Sequence, residues 1–173
     1  MNIREQLLIE HSQSNAQKIV DYIGTNPQRL QELMKCYFSK EYRLSQRSAM
    51  VVGKCFDSHP GMMGKYIPQM CEILEEKDLE IAVKRNTVRT LQFVAIPEEL
   101  QAKLFDRCLH FLIDSNETIA VKAFSMTILY NICKAFPELK MEVIPLLEDL
   151  LKRCESPGIK NRGNKVLKKL LAL

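Results

Sequence analysis

One apolar spacing recurs along this chain at an interval of 38 or 39 residues. Met62, Tyr66, Met70 and Ile73 step by 4, 4 and 3. Leu100, Leu104, Cys108 and Phe111 repeat those steps, and Leu139, Val143, Leu147 and Leu150 repeat them again. Steps of three and four trace one stripe of an α-helix. A shorter stripe, Leu30, Met34 and Phe38, comes before them. One helix cannot bury such a stripe alone, so a series of them predicts stacked helical units with a continuous core.

Proline marks the same period. Pro27, Pro60, Pro97 and Pro137 each stand at the head of a stripe, 33, 37 and 40 residues apart. Proline suits the first helical position, where its missing N–H has no partner to lose. A second series lies between these helices: Ile81, Val88 and Leu91 return 38 residues later as Ile119, Met126 and Leu129. Asp78 and Asn116 stand where N-caps are wanted. The prediction is all-α: short leading helices near 2–10 and 14–23, outer helices near 27–38, 60–76, 97–113 and 137–153, and inner helices near 41–57, 79–94, 116–135 and 157–172. The expected organisation is a single repeat domain over 1–173, with leading helices in 1–26 and hairpins at 27–57, 60–94, 97–135 and 137–172.

These residues resemble the HEAT repeat. That family places a proline inside the first helix of each hairpin, and an acid six positions before a basic residue at the start of the second. Pro68 and Pro145 match the helix-interior position, each eight residues after an initiating proline. Asp78–Lys84, Glu41–Arg47 and Asn116–Lys122 have the six-residue spacing, with Asn116 neutral. Lys160 continues the basic series, with Cys154 at the acidic place. A branched apolar residue precedes the basic one at Val83, Val121 and Ile159, whereas the first unit has Gln46. The resemblance covers roughly 27–172. It implies a right-handed α-α superhelix, a solenoid of about four hairpins, with the second helices lining its concave side. It also implies scaffolding or binding as the activity. Arg47, Lys84 and Lys122 are expected to act structurally, by pairing between repeats. Short bacterial HEAT-like chains similar to this one include some labelled adenylosuccinate lyase, but that superfamily's GSSxMPxKxNP signature is absent.

Charge is divided unevenly. The inner spans, the second counted from 78, carry +8 and the outer spans −3, within a net +4. The last helix holds Lys160, Arg162, Lys165, Lys168 and Lys169 and no acid. Arg162, Lys165 and Lys169 share a face by their spacing. Lys84, Arg85 and Arg89 form a second cluster. The candidate binding residues are therefore Lys84, Arg85, Arg89, Arg162, Lys165, Lys168 and Lys169.

Catalytic signatures are missing. There is no GxxxxGK[ST], GxGxxG or GxSxG segment, and Gly158–Gly163 lacks the preceding strand of a phosphate loop. His11, His59 and His110 form no HExxH, and His110 and Cys108 point to different helix faces. The six cysteines form no CxxC pair and read as small core residues in a reducing compartment. No cofactor and no metal are expected. No apolar run approaches the roughly 20 residues of a membrane span, and the N-terminal segment, with an acidic residue and no long apolar stretch, predicts no secretory signal, so the expected location is the cytoplasm. The leading expectation is a non-catalytic module that binds a protein or peptide through its inner or terminal helical face. The alternative is nucleic-acid binding in a basic groove. An enzyme with a lyase or glycosylase label is weaker still, because no motif supports it. Sequence leaves the oligomeric state open.

Overall fold

The computed structural model describes residues 1–173. It contains ten α-helices, three short 3-10 turns and no strand. The chain forms two compact units, Met1–Thr90 and Leu91–Leu173.

The first unit holds α1 (Ile3–Ile9), α2 (Gln13–Ile23), α3 (Pro27–Tyr37), α4 (Tyr42–Ser58), α5 (Ile67–Ile73) and α6 (Ile81–Leu91), whose last residue begins the second unit. Helices α3 and α4 form a hairpin, and α1 and α2 pack against it. Local chemistry sets the boundaries. Asn26 Oδ1 accepts from the N–H groups of Gln28 and Arg29, and Pro27 follows at the first position, so α3 starts there. Gly24 ends α2 with φ of 48°, a left-handed value that glycine adopts without penalty, and its N–H reaches Val20 O. The seven-residue α1 has too few turns to be stable alone, and neighbours satisfy its last carbonyls. Asn15 Nδ2 donates to Gln6 O and Glu10 O, and Arg47 Nη1 donates to Leu7 O and Leu8 O.

The second unit holds α7 (Glu98–Ile113), α8 (Ile119–Ala135), α9 (Lys140–Arg153) and α10 (Pro157–Leu171). Its two hairpins, α7–α8 and α9–α10, stack so that α7 meets α9 and α8 meets α10. The middle of each predicted stripe is buried: Leu104 and Cys108 in α7, Val143 and Leu147 in α9. Gly163 permits the close approach of α10 to α9, since a Cβ there would stand 2.7 Å from Leu151 Cδ2. All six cysteines are free; five are buried and Cys154 is half-buried.

Several expectations need correction. Pro60 and Pro137 begin 3-10 turns rather than α-helices, and Pro97 caps α7 from outside. Two glycines, Gly61 and Gly64, lie within the segment after Pro60, so α5 does not begin until Ile67. Pro68 consequently lies in the first turn of α5, whereas Pro145 is inside α9 as expected. The caps of the second series fall nearer the helices than Asp78 and Asn116. Glu80 Oε2 accepts from Val83 N, and Thr118 Oγ1 from Val121 N. Ile81 and Ile119 open their helices exposed, at 61% and 53%, while Val88, Leu91, Met126 and Leu129 are buried.

Candidate functional site

Arg47 and Lys122 do not form the expected acid–base pairs. Arg47 caps α1, and the buried Lys122 Nζ donates to Leu112 O near the end of α7 at 3.3 Å. Both meet carbonyls at helix C-termini, where partial negative charge accumulates. Glu41 pairs with Arg4 instead of Arg47, through two contacts of 2.9 and 2.7 Å. That pairing holds the Glu41 carboxyl below its ordinary range and raises the Arg4 guanidinium. The structural expectation for Arg47 and Lys122 is met by a different partner.

In the first unit, the α6 cluster faces a groove of about 500 Å³ whose lining includes His11, Lys54, Asp57, Arg85 and Arg89. Arg89 Nη2 donates to both Asp57 oxygens, at 3.0 and 2.9 Å. Gly53 makes room for that crossing, as a Cβ there would lie 3.4 Å from Arg89 Nη1. Arg85 projects exposed beside the pair, and Lys84 is half-buried. The charge of Arg89 is therefore compensated locally.

The second unit differs. Helix α8 carries Lys122 and Lys134 and no acid; α10 carries Lys160, Arg162, Lys165, Lys168 and Lys169 and no acid. Arg162 Nη1 donates to Thr127 Oγ1 at 2.6 Å and to Gln92 Oε1 at 3.1 Å. Asn131 Nδ2 holds Gln92 O at 3.0 Å. These bonds fix Arg162 against α8 and keep the buried Gln92 in place. Beside them, the Tyr130 ring has Lys134 Nζ at 5.5 Å and Lys169 Nζ at 5.2 Å from its centroid. Each such contact is worth about 0.5–1 kcal/mol when exposed, enough to bias a lysine's position. Lys165 and Lys168 are exposed. A cavity of about 350 Å³ opens next to this surface, with Phe93, Ile96, Gln101, Ile128 and Lys134 in its wall.

Arg162, Lys165 and Lys169 are thus brought together with α8, and Arg85 with Arg89 in the other unit. Sequence reading missed Tyr130, Lys134, Asn131 and Gln92. The available signal was the absence of acids on α8 and the Tyr130–Lys134 spacing of four.

A family description of HEAT repeats matches residues 3–170. The chain belongs to the HEAT-repeat family. Its all-helical repeat fold is also similar to the crystal structure of an engineered protein solved by the Northeast Structural Genomics Consortium. That likeness has 12% identity and a TM-score of 0.58, covering 98% of this chain and 88% of the other. At that identity it speaks to fold alone. No curated protein sequence matches the chain. HEAT repeats generally serve as interaction scaffolds, and no helix of this HEAT chain is long and apolar enough to cross a membrane.

Proposed function

We propose that this HEAT protein is a non-catalytic interaction module whose partner is a protein or peptide bound on the α8–α10 surface. The observation that supports this most is the run of cations without a carboxylate on those two adjacent helices. Uncompensated charge of one sign raises the local concentration of an oppositely charged partner and speeds its encounter. The six free thiols fit a reducing compartment, so we place the module in the cytoplasm. Affinity capture from native lysate tests the reading. Wild type should retain a specific protein that the double variant Lys165→Glu/Lys169→Glu loses. A wild-type chain that retains nothing beside a functioning control sinks the proposal.

A second reading, nucleic-acid binding, draws on the same cations together with Arg85 and Arg89. It expects binding to weaken steeply with salt as counterions are released. It also expects binding to vanish when Arg85, Arg89, Lys165 and Lys169 are reversed. No binding to single or double strands at low salt rejects it.

A further inference from the structure

We infer that the α8–α10 surface recognises an acidic peptide segment carrying an apolar side chain beside its carboxylates. This rests on the reading of that surface as the binding face and adds the chemistry of what it takes. Lys165 and Lys169 stand exposed on one face of α10, where no acid of either helix competes for them. Arg162, tied to Thr127 and Gln92, anchors one end of the basic row. Lys134 belongs to two places at once: its ammonium lies over Tyr130, and it lines the adjoining cavity. A carboxylate held at Lys134 therefore leaves a neighbouring side chain of its peptide next to that cavity.

The cavity offers apolar contacts beside polar ones, its wall holding Gln92, Gln101 and Asn131 as well. Its volume is about 350 Å³, and its wall includes Phe93, Ile96 and Ile128. Phe93 is 65% exposed, a large aromatic surface for a ligand to cover. Gln101 also lines it, and Gln101 Oε1 is buried without a hydrogen-bond partner while Nε2 donates to Ile96 O.

The test is fluorescence anisotropy on the full chain. The probe is a fluorescein-labelled peptide with a short run of glutamates followed by a phenylalanine. Replacing its glutamates by glutamine should weaken binding by about tenfold or more, and replacing its phenylalanine by serine by about tenfold. Lys165→Glu/Lys169→Glu should match the glutamine peptide. Phe93→Ala should weaken the phenylalanine peptide several-fold and leave the serine peptide unchanged. That coupling does not depend on the fold surviving charge reversal. Equal binding of the glutamate and glutamine peptides overturns the inference, as does an oligonucleotide that displaces the peptide at lower concentration. Failure to bind the peptide while lysate capture remains sensitive to the Lys165/Lys169 variant defeats the acidic-peptide assignment alone. Failure of both defeats the binding face as well.

Discussion

The buried Tyr37 shows how an individual residue holds helices of this chain together. The Tyr37 hydroxyl lies at 3.0 Å from Val83 O and 2.7 Å from Thr87 Oγ1, joining α3 to α6 inside the first unit. Burial pushes that phenol well above its ordinary range, so it stays neutral. Tyr37→Phe removes the hydroxyl while keeping the ring, and should cost about 1–2 kcal/mol in urea unfolding. Burial also pushes the Cys55 thiol up to about 12 and Cys133 to about 11. A thiol reagent on the native chain at about pH 7.5 should modify the half-buried Cys154 first and the other five only on unfolding, since the thiolate is the reactive form. Rapid native labelling of Cys55 or Cys133 would contradict that packing. The Arg4–Glu41 pair sets a pH dependence with a definite sign. Its carboxyl is held low in the fold by the Arg4 hydrogen bond, so the contribution is present above the ordinary value of about 4.3 and is lost as pH falls through the lowered one. The stability difference between wild type and Glu41→Gln should be flat near neutrality and shrink in acid, and it should be small because both groups are exposed.

At the scale of elements, helix ends decided what the sequence made legible. The apolar stripes placed α7, α8 and α9, and α7 and α9 bury the middle of the stripes that defined the period. The leading helices and α3 were equally clear, with Asn26 and Pro27 giving one signal at one boundary. Proline position was less informative, since the same residue starts an α-helix at Pro27 and a 3-10 turn at Pro60. Ile81 and Ile119 fit the stripe by spacing, yet they open their helices and remain exposed. The site was half legible. The cations on α6 and α10 could be counted, but their partners come from distant positions: Asp57 for Arg89, Gln92 and Thr127 for Arg162. No local period encodes such pairs. Leu147 is fully buried in α9, so Leu147→Ala should cost about 2–5 kcal/mol in thermal or urea unfolding. Gly24→Ala forces a side chain onto a positive φ and should cost about 1 kcal/mol in the same measurement.

For the whole molecule, the repeat explains both the core and the uneven charge. Neighbouring hairpins in the second unit use one side of each helix to bury apolar residues, which leaves the remaining side free for other chemistry. On α8 and α10 that chemistry is cationic, whereas α9 carries Glu142, Glu148 and Asp149 beside its own cations. The central claim is that a partner docks on α8–α10. Site-specific photo-crosslinking in cells tests it most directly, with the reactive side chain placed in turn at Lys134, Lys165 and Lys169, and at Lys103, Glu148 and Lys152 on α7 and α9. The expected result is one discrete adduct from the first three positions and none from the others. Adducts of equal yield from both sets, or from α7 and α9 alone, would contradict the assignment.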